Sequence, residues 1–291
     1  MQVDEAGLAA HLDATLGPVV PAVSAPRALA ITTSRLTRRF GSLTAVDRLD
    51  LAIPAGTIFG LLGSNGAGKS TTLKMLTTLL SPSEGTAHVA GCDVLQEARE
   101  VRRHIGYVPQ MLSADAALTG RENLELSAKL YGIPRSERRE RIVDALAFME
   151  LVDVGQVLVR KYSGGMIRRL EIAQALLHRP DVVFLDEPTV GLDPNARQAV
   201  WGRLRDLRSR TTTTVMLTTH DMEEAEELCQ VVGLMHRGRL VVQGSPSALR
   251  AGVGSDASMT DVFIHYTGGT VAQEGDSRDV ARTRRVASRL G

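Results

Sequence analysis

The sequence is poor in cysteine and aromatic residues and carries no excess of charge of one sign. Only Cys92 and Cys229 occur among 291 residues, too few for a disulfide framework and without the paired spacing of a zinc site. Both are expected to be core or strand residues in reducing surroundings. Lysine and arginine total 34 against 33 aspartate and glutamate, so the strong positive charge of a nucleic-acid-coating protein is missing. No nucleic-acid partner is therefore expected.

The sequence also lacks a long hydrophobic run. No stretch approaches the roughly 20 apolar residues that a membrane-spanning helix needs. The first residues include Asp4 and Glu5 in place of a basic segment, and Pro18, Pro21 and Pro26 interrupt the apolar residues that follow, which is unlike a secretory signal. The chain is expected in the cytosol or attached to a membrane through another polypeptide.

The most informative segment is rich in glycine. Residues 63–70 read GSNGAGKS and fit the phosphate-binding pattern G-x-x-x-x-G-K-[ST], with an apolar run before it and a helical pattern after it. Glycines let the backbone aim its N–H groups at phosphate oxygens, and the start of a helix adds positive potential. Lys69 is expected to reach the β- and γ-phosphates, and the Ser70 hydroxyl to bind Mg²⁺. The alternative is a glycine-rich surface turn before a helix.

The nucleotide-binding residues predicted in this loop are Gly63, Ser64, Asn65, Gly66, Ala67, Gly68, Lys69, Ser70 and Thr71.

A pair of carboxylates follows a second apolar run. Residues 182–185 read VVFL and precede Asp186 and Glu187. In phosphate-binding-loop folds an aspartate at the end of such a strand helps to hold Mg²⁺. Because side chains alternate along a strand, Glu187 is expected on the opposite side of the strand end, where it can polarise an attacking water. The alternative is a strand that ends in a solvated acidic turn.

The order of patterns along the chain predicts an α/β fold. Strand-like residues 28–58 suggest a small antiparallel sheet that leads into the glycine-rich loop, and a helix is predicted over 71–80. Residues 110–159 are helical in pattern, with Thr119 and Glu122 spaced as a capping box. After this insertion, strands alternate with helices up to Gly244, which implies a mainly parallel sheet.

Three regions follow from this order: an N-terminal arm at 1–27, a nucleotide-binding domain at 28–244 with a helical subdomain at about 111–164, and a C-terminal extension at 245–291. The extension contains residues 261–268, which suit either a terminal strand or a helix packing on the core. Beyond 268 the tail carries several arginines. It is expected to be either disordered or a basic helix beside anionic lipid or a partner.

Between the two phosphate-site elements, residues 162–166 read YSGGM and open a predicted helix. With this segment the chain resembles the ATP-binding subunits of ABC transporters, whose signature is written L-S-G-G-Q. The resemblance extends over about residues 29–244. In the family's order, Phe40 matches the aromatic residue that stacks on adenine, Gln110 the Q-loop glutamine, residues 191–193 the D-loop, and His220 the switch histidine at the γ-phosphate.

The resemblance implies the ABC ATPase fold, which is a P-loop NTPase core with an antiparallel β-subdomain and an inserted helical subdomain. It implies ATP hydrolysis with Lys69, Glu187 and His220 as catalytic residues. It also implies Mg²⁺ near Ser70, Gln110 and Asp186. In this family Ser163, Gly164 and Gly165 close over the nucleotide of a second subunit, so a homodimer with two composite sites is expected.

A separate integral membrane permease is a further implied partner, expected to dock on the surface between Gln110 and Val159. The chain would then be a peripheral protein on the cytoplasmic face of the cell membrane. The YSGGM signature, the GLDP segment and residues 261–268 look like those of daunorubicin-resistance type multidrug exporters. An importer subunit and a soluble ABC ATPase that acts on nucleic acid are the alternatives.

Two residues depart from the usual signature. Tyr162 stands where the family has Leu, and Met166 where it has Gln. Methionine cannot return the side-chain bond of a capping box to Ser163. Met166 is therefore expected to be a packing residue, while nucleotide contact is expected through Ser163 and the glycine amides.

Overall fold

The computed structural model describes residues 28–268. The predicted N-terminal arm and the arginine-containing tail after 268 lie outside the described residues. In the described part, ten strands form two sheets. The domain boundaries proposed from the sequence stay predictions.

The first sheet is antiparallel and has four strands in the order β2-β1-β4-β5. Its strands are β1 (Leu29–Phe40), β2 (Leu43–Pro54), β4 (Glu84–Val89) and β5 (Cys92–Asp93). The turn predicted at Gly41 and Ser42 joins the first two. This sheet confirms the predicted antiparallel unit before the glycine-rich loop, and β4 and β5 extend it with strands that follow the loop.

The second sheet has six strands in the order β10-β9-β3-β8-β7-β6. Its strands are β3 (Ile58–Leu62), β6 (Ile105–Val108), β7 (Val182–Asp186), β8 (Thr214–Thr219), β9 (Val231–His236) and β10 (Arg239–Gly244). All neighbours pair in parallel except β9 and β10, which form the predicted hairpin. Every residue of β3, β7 and β8 is buried, as expected for strands covered on both faces.

Nine α-helices and one short 3₁₀ helix, Val159–Lys161, complete the described residues 28–268. The α-helices are α1 (Lys69–Leu76), α2 (Ala98–His104), α3 (Gly120–Leu130), α4 (Arg135–Phe148), α5 (Gly164–Leu176), α6 (Pro194–Arg210), α7 (Met222–Leu228), α8 (Pro246–Val253) and α9 (Met259–Thr267).

Two hydrophobic clusters lie on opposite faces of the parallel sheet. Val183 and Leu185 belong to the cluster shared with α3–α7, whereas Val182 and Phe184 belong to the cluster shared with the antiparallel sheet and α1. This is the alternation expected of a strand. The parallel sheet therefore joins the antiparallel sheet on one side to the helical region on the other.

The helical region begins as predicted. Thr119 caps α3: its hydroxyl accepts from the Glu122 N–H at 3.2 Å, and the Glu122 carboxylate accepts from the Thr119 N–H at 2.8 Å. The capping box expected from the sequence is thus present. At the C-terminal end, residues 259–267 form a helix, not a strand, with Val262 and Phe263 buried against the core.

Two helices differ from the sequence prediction. The helix predicted over 71–80 ends at Leu76, because Thr78 has a left-handed backbone (φ 63°) that an α-helix cannot include. The short helix α2 is absent from the prediction. Only Val101 of its seven residues is buried, so it has no apolar stripe by which a periodicity search would find it.

Close packing between β6 and α5 generates the first testable prediction. A Cβ atom on Gly106 would lie 2.2 Å from the Ala175 carbonyl oxygen. Gly106→Ala should therefore reduce the free energy of unfolding by about 1–3 kcal/mol, the usual cost of overpacking. Unfolding in urea, followed by circular dichroism, measures the change.

The matched control is Gly202→Ala in α6, where a Cβ would meet no atom within 4 Å. That change should stabilise the helix by up to about 1 kcal/mol, since alanine has the higher helix propensity. Equal stability of Gly106→Ala and the wild type would contradict the packing described above.

Candidate functional site

The predicted chemical residues meet at the carboxyl edge of the parallel sheet. The glycine-rich loop follows β3, Gln110 lies two residues after β6, Glu187 follows β7 directly, and His220 follows β8 directly. Strands β3, β8, β7 and β6 are neighbours in that order. Four segments far apart in the sequence therefore end side by side, which is where open α/β sheets bind ligands.

The glycine-rich loop has the backbone of a phosphate cradle. Gly66 and Gly68 have φ values of 81° and 106°, which other residues rarely adopt. A Cβ on Gly68 would also lie 2.4 Å from the Ala45 carbonyl oxygen. Within residues 28–268, the amides of Asn65, Gly66 and Gly68 have no hydrogen-bond acceptor. These N–H groups at the start of α1 suit an anion.

Lys69 points back into this loop. Its ammonium donates to the carbonyl oxygens of Gly63 and Ser64 at 2.8 and 3.2 Å, and it lies 3.3 Å from Oε1 of Glu187. Burial lowers the pKa of Lys69, and the neighbouring charge of Glu187 opposes that shift. A buried ammonium of this kind gains from any further negative charge placed beside it.

Asp186 is held by two hydroxyl groups, one from the loop and one from β8. Ser70 Oγ donates to Asp186 Oδ1 at 2.9 Å, and Thr218 Oγ1 donates to the same atom at 2.6 Å. Asp186 is only 3% exposed. Thr71, the last predicted loop residue, is half-buried in the first turn of α1. The Ser70 hydroxyl and the Asp186 carboxylate together form a pair of hard oxygen ligands, the type that Mg²⁺ prefers.

The position of Glu187 corrects the expectation that it lies on the opposite side of the strand end. Strand β7 ends at Asp186, so strand alternation does not extend to Glu187, whose φ of 49° is left-handed. Its carboxylate lies 3.3 Å from the Lys69 ammonium and 3.3 Å from Nδ1 of His220. Gln110 Nε2 donates to its other oxygen at 3.3 Å. Both carboxylates therefore face the loop.

The environment of Glu187 keeps its carboxylate ionised. Burial alone would raise the pKa of Glu187, but the hydrogen bond with His220 and the charge of Lys69 outweigh burial and hold this pKa below its ordinary value. The hydrogen bond to Glu187 in turn raises the pKa of His220. The site thus contains an ionised carboxylate in contact with Lys69, Gln110 and His220.

Two predicted groups stand apart from this cluster. Phe40 ends β1 and is 46% exposed, with the Arg38 guanidinium 4.6 Å from its ring centroid. Ser163 caps α5 by accepting from the Met166 N–H at 3.3 Å. Within the described chain, no hydrogen bond or salt bridge joins the segment from Ser163 to Gly165 to residues 63–71. The structure therefore does not bring the predicted Ser163 to Gly165 contacts into the site of the same subunit.

The YSGGM segment packs instead on the elements that follow Glu187. A Cβ on Gly164 would lie 3.5 Å from Leu192, and one on Gly165 would lie 2.6 Å from the Ala196 side chain. Met166 is half-buried and packs against the larger core cluster, in line with its expected role as a packing residue. The Tyr162 hydroxyl donates to the Val154 carbonyl oxygen at 2.7 Å.

A buried carboxylate near the site was missed in the sequence. Glu224 is 1% exposed, and its Oε1 accepts from Thr189 Oγ1 at 2.7 Å and from Trp201 Nε1 at 3.0 Å. Burial raises the pKa of Glu224. It ties the segment just after Glu187 to the helix just after His220. In the sequence it is one of several glutamates at the start of a helix, so nothing distinguishes it from a solvated residue.

Comparisons with known proteins agree with these observations. The family profile described as ABC transporter matches residues 46–190. The daunorubicin/doxorubicin resistance ATP-binding protein DrrA of Streptomyces peucetius is 45% identical over 227 residues, which cover 78% of this chain and 68% of the relative. The Nod factor export ATP-binding protein I of Paraburkholderia xenovorans is 43% identical over 76% of this chain and 73% of the relative.

Solved structures share the fold. The ATP binding subunit of an ABC transporter superposes with a TM-score of 0.73 at 27% identity, covering 82% of this chain and 99% of that one. CbiO1 from Clostridium perfringens, part of the complex cbiONQ, gives a TM-score of 0.72 at 26% identity, covering 77% and 91%. A dimeric ATP-binding cassette bound to ADP and Pi gives 0.66 at 26% identity, covering 74% and 98%. The fold predicted from the sequence is confirmed.

The contact between Glu187 and His220 gives a prediction about pH. Because Glu187 raises the pKa of His220, Glu187→Gln should return it toward the ordinary histidine value. The stabilising effect of this pair should be present below the ordinary histidine pKa and lost as the pH rises through the raised one. An NMR titration of histidine-labelled protein measures the shift, with Glu227→Gln on the surface of α7 as the matched control.

The prediction is wrong if His220 titrates at the same pH in the wild type and in Glu187→Gln. The resonances of the other histidines serve as an internal reference in each sample.

Proposed function

The chain belongs to the ABC transporter ATP-binding proteins, and on that basis we propose that it hydrolyses ATP in a two-fold dimer to drive export through a separate membrane permease. Membership of the family makes it an ATP-binding protein and an ATPase. The observation that carries the proposal is the convergence on Glu187 of Lys69, Gln110 and His220, each from a different strand end. That arrangement matches the needs of phosphoryl transfer to water.

The glycine-rich loop is proposed to hold the phosphates of ATP. Its N–H groups and the Lys69 ammonium supply the positive field. Phe40 is proposed to stack on adenine, and its 46% exposure leaves ring surface for that contact. It lies at the end of the hairpin whose second strand approaches Gly68.

Mg²⁺ is proposed to bind at Ser70, Asp186 and Gln110. The hydroxyl, carboxylate and amide oxygens of these residues are suitable ligands. This ion usually takes one or two carboxylates together with substrate phosphates. When bound, it would neutralise charge that develops on the phosphates.

Glu187 is proposed to act as the general base. An ionised carboxylate can accept the proton of the water that attacks the γ-phosphorus. His220 is 3.3 Å from Glu187 and is proposed to orient this carboxylate and contact the γ-phosphate. Lys69 is proposed to stabilise the charge that develops on the transferred group.

The dimer is supported by the position of the YSGGM segment. Ser163, Gly164 and Gly165 lie at the N-terminus of a 13-residue helix, a place that favours anions, yet they do not contact the loop of their own subunit. They are proposed to cover the nucleotide of a second copy of the chain. The dimeric relative bound to ADP and Pi supports such a pairing.

A membrane partner is supported by an exposed apolar surface on the helical region. No helix of residues 28–268 is long and apolar enough to cross a membrane. Large apolar side chains are nevertheless exposed after β6 and along α3, namely Met111, Leu112, Leu126, Leu130 and Tyr131. Leu130 and Tyr131 also line a groove of about 320 Å³ between β6, α3 and α5. We define these five residues as the docking surface and propose that the permease binds there, which would hold the chain at the cytoplasmic face of the membrane.

The direction and cargo of transport are proposed from the relatives. Those named above are resistance and export proteins for daunorubicin, doxorubicin and Nod factor. By similarity, this chain is proposed to power export of a drug-like or lipid-like molecule. The permease is proposed to choose the molecule.

The general-base assignment predicts the behaviour of Glu187→Gln. Glutamine keeps the shape of the side chain but cannot accept the proton, so ATP turnover should fall by about 10²–10⁴-fold while ATP binding persists. An ATP-bound dimer should accumulate. Phosphate release and size-exclusion chromatography with ATP and Mg²⁺ measure the two effects, with Glu227→Gln as control. Undiminished turnover in Glu187→Gln would refute the assignment.

The docking surface predicts a second result. Leu130 is 78% exposed, and Leu130→Asp should reduce the fraction of the protein that sediments with membranes of its native cells, because a charge would be buried against the permease. Leu95→Asp is the control, since Leu95 is 53% exposed but precedes α2 outside this surface. Equal sedimentation of both variants would place the permease elsewhere. Circular dichroism verifies that both are folded.

A further inference from the structure

Helix α5 contains a fully buried ion pair. Arg168 Nη1 lies 3.0 Å from Glu171 Oε2, and the two side chains are 3% and 2% exposed. They stand three positions apart, so they share one face of the helix. In the sequence, two charged residues on a helix are normally read as a solvated face. Here another segment of the chain covers both side chains.

The covering element is the segment after β6. Arg168 donates to the carbonyl oxygens of Pro109 and Gln110, both at 2.7 Å. Glu171 Oε1 accepts from the Ser113 N–H, from Ser113 Oγ at 3.1 Å and from the Ala114 N–H at 3.3 Å. Residues 109–114 belong to no helix or strand. The ion pair therefore fastens both ends of an irregular segment to one helix.

This fastened segment carries two groups that face in different directions. The Gln110 side chain donates to Glu187 in the ATP site at 3.3 Å. Met111 and Leu112 are 82% and 49% exposed in the docking surface. A movement of the segment would therefore change the ATP site and the docking surface together.

The same helix begins at the proposed contact with the second subunit. Ser163 is its N-cap, and Arg168 follows five residues later, about 7.5 Å along the helix axis at 1.5 Å per residue. A hydrogen-bonded helix moves as a rigid rod over so short a distance. A displacement of Ser163 would therefore move Arg168 and Glu171 with it.

Stability alone does not account for the ion pair. Removing two charges from water is costly, and a well-packed apolar pair of similar volume is often as stable. In addition, Arg168 Nε is buried without a partner in the described part of the chain. The ion pair instead positions the segment after β6, because its hydrogen bonds hold four backbone groups of residues 109–114 in place.

We propose that Arg168 and Glu171 are positioning residues that transmit closure of the dimer at Ser163 to residues 109–114. Closure of Ser163 over the nucleotide of the second subunit would thereby fix the positions of Gln110 and of the docking surface in the chain that contains this Ser163. This inference rests on the dimer proposed above. It concerns a link within one chain, from the segment that meets the partner's nucleotide to the segment that meets the permease.

The experiment uses the full chain with Glu187→Gln as the parent, so that ATP is held. Hydrogen exchange measured by mass spectrometry gives the slowing of exchange that ATP and Mg²⁺ cause in residues 109–114. Ser163→Arg in the parent places a bulky cation where the dimer must close, so this variant should bind ATP without dimerising. The slowing of exchange that it shows is then the effect of ATP bound in the same subunit alone. Size-exclusion chromatography reports closure in every sample.

The test variant is Arg168→Lys, which keeps the charge beside Glu171 but lacks the planar fork that reaches two carbonyl groups. Arg169→Lys is the matched control, because Arg169 donates to the Met149 carbonyl oxygen and not to residues 109–114. The parent and Arg169→Lys should show more slowing than Ser163→Arg. Arg168→Lys should still dimerise, with its slowing reduced to the level of Ser163→Arg. If Arg168→Lys does not fold, Glu171→Gln replaces it under the same criterion.

Two outcomes would overturn the inference: full slowing in an Arg168→Lys dimer, or full slowing in Ser163→Arg. Failure of the parent itself to bind ATP or to dimerise would refute the proposed function instead. The two failures are therefore separable in a single set of samples.

Discussion

The parallel pairing of four strands is the constraint on which the site depends. Thr219 of β8 pairs with Leu62 of β3, and Thr218 of the same strand pairs with Asp186 of β7. Because the strands run in one direction and are buried on both faces, their carboxyl ends form one edge. The functional groups therefore need no long connection to meet at this edge. They are the glycine-rich loop, the two carboxylates at the end of β7, Gln110 and His220. Slippage of one strand by one residue would move its side chains to the opposite face of the sheet and into the wrong core cluster, so the core and the site are fixed by the same register.

At that edge, the buried charged side chains of Lys69 and Glu187 are tolerated only because each one pairs with a charge of opposite sign. Lys69 is 5% exposed and Glu187 is also 5% exposed, and removal of either would leave the other as an unpaired charge in a dry site. A phosphate brought to Lys69 would compete with Glu187 for the same ammonium. The carboxylate would then lose one positive neighbour and become a better proton acceptor. In the proposed function, substrate binding and activation of the base would thus be coupled through one lysine.

Short sequence patterns predicted much of the fold and of the candidate site. Where they failed, the cause was either packing between distant segments or the backbone conformation of a single residue. The glycine-rich loop, the run before Asp186 and the capping box at Thr119 are each specified by neighbouring residues, and each is confirmed in the structure. The order of strands is set by packing between distant segments, which one sequence does not display. The left-handed backbone at Glu187 is likewise invisible, because glutamate has no preference for it. Strand alternation therefore placed this carboxylate on the wrong side.

Buried polar side chains were the other class of residue that pattern reasoning missed. Glu224, Arg168 and Glu171 all lie on helices, at positions where a charged residue normally faces water. Each is buried because a segment distant in the sequence lies over it and supplies hydrogen bonds: Thr189 covers Glu224, and residues 109–114 cover the ion pair. Departures from local rules concentrate at functional sites in natural proteins. All three of these residues connect segments that flank the ATP site, and this shared placement argues that their burial serves positioning more than stability.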